Sequence, residues 1–294
     1  HNHVNSGRVD WADIGANARA DIAGAKSLSD VYPAINGILG SLAEPHSRFV
    51  PPKRPGEPPL VIATSSLSAS RAMPLVRLIE KRFGLVRLPA LDALDRDGLS
   101  AGERYTATLR AQLEELDRTP LCGWIVDLRE NGGGNMWPML QGLDPLLGAA
   151  PFGEFIKPDG LRQSWARVNN TIPPTELTLQ PSSPSFSLTN AAAPVAVLIG
   201  PGTKSSGEMV AVALIGRPGV MTFGQPSAGL VTANQTFDLA DGARLVLTVA
   251  GVRDRTGRTY AEPIVPNQTA QVGIAERVAE RWLDTQCNLA RRRD

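Results

Sequence analysis

Hydrophobic residues recur at helical spacing from about Trp11 to Leu42. Ile14, Ala18, Ile22 and Ala25 form one stripe, and Val31, Ile35, Ile38, Leu39 and Leu42 form another. The spacing predicts two short amphipathic helices, ending at Glu44-Pro45-His46-Ser47. Residues 51–59 carry five prolines in nine positions. Proline has no N–H and fixes its own φ, so this segment reads as a linker. Beyond it the pattern alternates between the periods of strand and helix. It predicts extended chain over Leu60–Thr64, helix over Ala72–Arg82, strand over Gly84–Leu88, helix over Ala101–Leu116 and a continuous apolar strand over Gly123–Leu128. The second half repeats this order, with a buried strand over Pro194–Ile199, a helix over Ser206–Ile215, a strand over Gly219–Phe223 and a final amphipathic helix over Val272–Leu283. Between the halves, Ile172–Ser187 is rich in Pro and Ser without periodicity, which predicts a long loop. The alternation implies an α/β sheet protein.

Composition narrows the partners. The chain has 294 residues, 42% of them hydrophobic, and 30 basic against 29 acidic side chains give a formal charge of +1. Such a balance lacks the electrostatic footprint of a nucleic-acid binder. No run approaches the ~20 apolar residues of a membrane span. The chain begins without Met and with no apolar leader, so localisation stays open, with a secreted or periplasmic protein expected if a signal peptide has been removed. Cys122 and Cys287 have neither metal-ligand spacing nor the density of a disulfide framework. We therefore do not expect a metal centre, and a bridge between the two is the less favoured arrangement.

Two segments carry candidate chemistry, each directly after a predicted buried strand. The first is Gly202-Thr203-Lys204-Ser205-Ser206-Gly207-Glu208 at a strand-to-helix turn. A serine there is accessible, and the unpaired N–H groups of the helix N-terminus can stabilise an oxyanion. The same residues also fit an ordinary helix start, with serine as N-cap and Glu208 closing a capping box. The second is Asp127-Leu128-Arg129-Glu130-Asn131-Gly132-Gly133-Gly134. Consecutive glycines let a backbone approach a reacting group closely, or simply make a tight turn. Asn135-Met136 follows instead of Gly-Lys-Ser/Thr, so this is not a Walker-type phosphate loop. His1 and His3 lie at the extreme terminus, so a histidine base falls to His46. A lysine base would have to come from Lys26, Lys53, Lys81, Lys157 or Lys204, none of them at a buried strand end.

Taken together, three runs resemble the S41 peptidase family, which contains the C-terminal processing proteases, the tricorn core proteases and the interphotoreceptor retinoid-binding proteins. They are Leu42-Ala43-Glu44-Pro45-His46-Ser47, Gly123 through Gly134, and Val195–Ile199 through Ser205-Ser206-Gly207-Glu208. A weaker fourth match runs from Asp241-Gly242 to Pro263-Ile264-Val265-Pro266-Asn267. The resemblance implies Ser205 as nucleophile and Ser206 and Gly133 as oxyanion N–H donors. Leu230 stands at the lysine position of the processing proteases. That departure implies the histidine-using branch, with His46 as base and Glu262 as the carboxylate that orients it. The residue before His46 is proline, however, where that branch has serine. The implied fold is a ClpP/crotonase-like superhelical core over 60–294, preceded by an N-terminal helical subdomain over 1–50 and the 51–59 linker. The 75 residues between His46 and Cys122 are already used by predicted elements, leaving no room for a PDZ module. The implied activity is that of a serine peptidase acting on peptide or protein substrates, without metal or organic cofactor, possible as a homo-oligomer. Two other classes fit the same residues: a non-catalytic binder of hydrophobic ligands, and an esterase or acyl-CoA enzyme on a crotonase-like fold.

Overall fold

The computed structural model describes residues 3–52, 73–91, 96–167 and 186–291. The extended segment predicted at Leu60–Thr64, nearly all of the linker and most of the Pro/Ser-rich loop lie outside the described residues. In chain order the elements are α1 (Trp11–Asp21), α2 (Tyr32–Ser41), β1 (Arg48–Val50), β2 (Leu75–Ile79), β3 (Phe83–Arg87), α3 (Arg96–Asp117), β4 (Gly123–Asp127), α4 (Met136–Leu147), β5 (Gly153–Ile156), β6 (Arg162–Trp165), β7 (Val195–Ile199), α5 (Ser206–Leu214), β8 (Val220–Gly224), β9 (Thr232–Asp238), β10 (Arg244–Asp254), β11 (Thr259–Tyr260), β12 (Gln268–Thr269) and α6 (Ala275–Arg291). The mixed α/β architecture and the small N-terminal helical region agree with expectation.

The chain divides into two compact units. The larger takes 73–154, 164–231 and 253–291 of the described residues. Its sheet is ordered β12-β8-β7-β4-β3-β2. The pairs β3–β4, β4–β7, β7–β8 and β8–β12 are parallel, and β2 is antiparallel to β3. Every residue of β4 and β7 is buried. Parallel strands covered on both faces need continuous apolar sequence, which is why these two were legible from pattern alone. On one face α6 packs Ala275, Val278, Ala279 and Leu283 against Leu85, Ile125, Leu198 and Phe223. Elsewhere in this unit α4 packs against both α3 and α5. Thr106 and Arg110 of α3 donate to the carbonyls of Pro138 and Gln141 in α4.

One element differs in kind from its prediction. The stretch expected as helix over Ala72–Arg82 contains β2, paired with β3 from Leu75↔Arg87 to Ile79↔Phe83. Glu80 and Lys81 adopt positive φ (46° and 57°), and Arg82 N–H donates to the Ile79 carbonyl. Two left-handed residues in a tight turn match the twist of a hairpin. The apolar spacing of this short run suits either element, and the turn decides it. A second difference is covalent: Cys122, just before β4, is disulfide-bonded to Cys287 of α6. The bridge fastens α6 to the sheet it covers, a pairing that spacing along the chain could not reveal.

The smaller unit takes 3–52, Phe155–Gln163 and Thr232–Val252. In it β1 and β9 both pair antiparallel with β10. The β9–β10 register shifts between Thr248 and Ala250, a bulge in the ladder. α1 starts on Asp10, whose carboxylate accepts the N–H groups of Ala12 and Asp13, a regular N-cap.

Candidate active site

In the larger unit the turn from β7 to α5 is stapled to the segment that follows β4. The buried Thr203 hydroxyl donates to the Leu128 carbonyl (2.8 Å) and accepts from Gly200 N–H (3.0 Å), and Lys204 N–H donates to the Asn131 carbonyl (2.9 Å). A Cβ on Gly207 would collide with the Asn131 carbonyl. Glycine at 207 is therefore what lets the two segments meet.

Ser205 takes the N-cap position of α5, but with φ 49° and ψ −117° rather than the extended conformation of a usual cap. A non-glycine residue held there carries on the order of 1–3 kcal/mol of backbone strain. Three hydrogen bonds and the packing of Gly133 maintain it. The Ser205 carbonyl accepts from Glu208 and Met209 N–H (2.8 and 3.1 Å), and Ser205 N–H donates to Glu208 Oε2 (2.8 Å). Gly133, at φ 105°, lies against it: a Cβ on Gly133 would stand 2.9 Å from the Ser205 Cβ and 3.1 Å from the Lys204 carbonyl oxygen. The glycine run thus lies against the serine. Gly133 N–H, however, donates to Asn131 Oδ1 (3.0 Å). Among the described residues of the two segments, Gly132, Gly134 and Ser206 have N–H groups without a hydrogen-bond partner, and those of Gly134 and Ser206 flank the serine contact.

Glu208 does more than the capping box foresaw. It is fully buried, and besides Ser205 N–H its carboxylate accepts Gly229 N–H (2.8 Å), Leu230 N–H (2.9 Å) and the Ser227 hydroxyl (2.5 Å). Burial pushes its pKa up, against the pull of these four donors. The carboxylate ties the serine to the segment where processing proteases carry lysine, here Leu230.

In the smaller unit His46 is buried, at 6% exposure, on the loop between α2 and β1. Glu44 organises that loop. Its Oε1 accepts His46 N–H (2.5 Å), and its Oε2 accepts Ser47 N–H (2.9 Å) and the hydroxyls of Ser47 and Thr248 (2.7 Å each). Burial opposes the Glu44 charge, yet the hydrogen bonds from Thr248, Ser47 and His46 hold its pKa below the usual carboxylate value. Burial also drives the His46 imidazole down to about 4, with Glu44 pulling it up and Arg48 pushing it further down. The ring is therefore neutral near pH 7, able to accept a proton. Its Nδ1 lies 2.8 Å from Thr232 Oγ1, at the start of β9.

Glu262, expected to orient His46, is exposed, and the partner of His46 Nδ1 among the described residues is the Thr232 hydroxyl. Thr232, Glu208 and Asn131 are the residues that sequence reasoning missed in these roles. Glu208 had a signal in its spacing from Ser205; Thr232 had none, being one β-branched residue in a strand. His3, although near the terminus of the sequence, is buried at 3% exposure, with Nδ1 accepting Asn5 N–H (3.0 Å) and Nε2 3.5 Å from Glu44 Oε2. Among the described residues Lys26, Lys81 and Lys157 are exposed and Lys204, next to the serine in sequence, is half-buried; Lys53 lies outside the described residues. Among the described residues there is no cluster of side chains able to hold a metal ion, and no helix long and apolar enough to cross a membrane.

Comparison with known proteins bears on this geometry. The model of peptidase family S41 matches residues 82–270. The nisin-resistance protein of Lactococcus lactis is 38% identical over 172 residues, covering 56% of this chain and 50% of that protein. The chloroplastic C-terminal processing peptidase of Tetradesmus obliquus is 24% identical over 199 residues, covering 68% and 37%. The chain thus aligns with half or less of the length of these relatives. Among solved structures, a lipoprotein from Streptococcus agalactiae superposes with a TM-score of 0.77 at 25% identity, covering 97% of this chain and 92% of that one. The photosystem II D1 C-terminal processing protease superposes with a TM-score of 0.58 at 16% identity, covering 92% and 89%.

Proposed function

The chain belongs to peptidase family S41, and from that premise we propose that it is a serine peptidase with Ser205 as nucleophile and His46 as general base, in a PDZ-less form. The observation that carries this reading is Ser205 itself, held at positive φ at the head of α5 with Gly133 packed against it. Strain of this kind persists where the surroundings over-determine it, and such places cluster at functional sites.

In the proposed reaction neutral His46 accepts the Ser205 proton as Ser205 Oγ attacks the peptide carbonyl. The oxyanion of the tetrahedral intermediate is stabilised by backbone N–H groups at the helix start. Ser206 N–H is one donor. Gly133 N–H is engaged by Asn131, so we assign the second to Gly134, with Gly133 supplying the close approach. The imidazolium then protonates the leaving amine, and water resolves the acyl-enzyme.

As substrate we propose a peptide or protein. The name of the Lactococcus relative makes nisin the first peptide to test. Ser205→Ala should abolish both peptide hydrolysis and covalent labelling by a fluorophosphonate while leaving the fold intact by circular dichroism. Retention of hydrolysis by the variant would remove Ser205 from the reaction, and a wild-type chain that neither labels nor hydrolyses would favour the non-catalytic binder.

A further inference from the structure

A histidine that serves as base must present one particular nitrogen without its proton, and a neutral imidazole has two tautomers to choose from. Which one prevails is set by the partner of the other nitrogen. For His46 that partner is Thr232 Oγ1, 2.8 Å from Nδ1.

We infer that Thr232 positions His46 by accepting the Nδ1 proton, which fixes the ring plane and leaves the Nε2 lone pair free to take the proton of the nucleophile. The inference rests on the reading of His46 as general base and goes beyond it, because it replaces a carboxylate partner with a neutral hydroxyl.

Three observations support it. First, the histidine backbone is fixed independently of the ring: Glu44 accepts the N–H groups of His46 and Ser47, and Asn234 Nδ2 donates to the His46 carbonyl at 3.4 Å. Ring orientation is therefore left to side-chain rotation, and Thr232 supplies the one hydrogen bond that the ring makes among the described residues. Second, Thr232 is itself anchored as the first residue of β9, paired with Gly251 of β10. A β-branched residue in a strand has few side-chain rotamers, so its hydroxyl is held in place. Third, Glu44 is already committed to two N–H groups and two hydroxyls, which leaves it as the anchor of the loop and not the partner of Nδ1.

A neutral acceptor has a chemical consequence. A carboxylate at Nδ1 would stabilise the imidazolium strongly and raise its pKa. A hydroxyl orients the ring without doing so, in keeping with a buried histidine held at about 4. The base is weak, and its part in the reaction rests on orientation.

The test combines Thr232→Val, Thr232→Ser and Ser205→Ala, read by the rate of fluorophosphonate labelling and by ¹⁵N NMR of the imidazoles. Valine keeps the β-branched shape and suits the strand. Thr232→Val should slow labelling about 10- to 100-fold, a part of the ~10²- to 10⁴-fold that a general base supplies, and Thr232→Ser should restore most of it. In the wild-type protein the His46 signals should be those of the Nδ1–H tautomer, and the valine variant should lose that preference. Labelling of Thr232→Val at the wild-type rate, or a wild-type His46 protonated on Nε2, would overturn the inference. If Ser205→Ala labels like wild type, the peptidase reading fails, while the tautomer measurement still decides the role of Thr232.

Discussion

The serine segment and the histidine loop are each built around a glutamate, fully buried in the first and half-buried in the second, but by opposite means. Glu208 sits three residues after Ser205 on the same helix turn, and gathers a second loop, Ser227–Leu230, onto the nucleophile. Glu44 sits two residues before His46 and secures a loop with almost no regular structure, helped by Thr248 and Thr232 from strands about 200 positions away. Around the serine, local geometry is rigid because a parallel sheet and a helix dictate it. Around the histidine, rigidity comes from side chains that replace a backbone ladder. Groups whose geometry depends on few, distant hydrogen bonds should respond more to pH and to single substitutions of hydroxyls.

The largest expected effect tests the serine side of this contrast. Glu208→Ala leaves three backbone N–H groups and the Ser227 hydroxyl without their acceptor. Loss of more than about 3 kcal/mol in urea unfolding is expected, since each buried donor left unsatisfied costs about 1–3 kcal/mol. Fluorophosphonate labelling should disappear with it. A variant with wild-type stability would mean that the carboxylate is not the keystone of that loop.

The histidine side should show itself in acid. The His46 pKa is about 4 in the folded protein against an ordinary value of 6.5. Between these values the unfolded chain binds a proton that the folded chain refuses, so stability falls as pH is lowered through that window. The total amounts to about 3 kcal/mol at one pKa unit per ~1.4 kcal/mol. Glu44, whose folded pKa is depressed, adds a further loss as pH drops below its ordinary 4.5. Urea midpoints of wild type and His46→Gln between pH 7 and 4 check the sign: the glutamine variant should lose the upper part of the slope.

Smaller again is Glu44→Gln, which keeps the shape but exchanges charge-assisted hydrogen bonds for neutral ones and turns one acceptor into a donor facing N–H groups. A loss of about 1–3 kcal/mol is expected, with labelling slowed through the displaced His46. Were labelling unchanged at full occupancy of the fold, the loop would be held by the hydroxyls alone. Reducing the Cys122–Cys287 bond should leave this contrast untouched, because the bridge joins β4 and α6 within one unit. The effect should be a uniform loss of about 2–4 kcal/mol, measured as a lower urea midpoint without a change in the labelling rate of folded protein.

Much of this is legible in the sequence. The apolar runs at Gly123–Leu128 and Pro194–Ile199 announced strands, and the glycine run and Thr203–Glu208 announced the turns at their ends. Each signal lies within a dozen residues, where period and turn chemistry govern. The helix expected before Arg82 became β2 because a short apolar run does not distinguish the two periods, and a pair of left-handed residues does. Glu262 drew attention by its place in the chain, whereas the histidine partner, Thr232, carries no mark in its own neighbourhood.

The sequence by itself determined the α/β class, the family resemblance, the serine at the helix start and the histidine that could accompany it, because these depend on residue type and on spacing along one stretch of chain. Only the tertiary structure decided that Cys122 meets Cys287, that His3 is buried beside Glu44, that Gly133 N–H belongs to Asn131 and that a threonine stands at the ring of His46. A hydrogen bond or a disulfide is settled by position in space to within a few tenths of an ångström. Which positions distant segments take follows from how the sheets and helices pack around their cores.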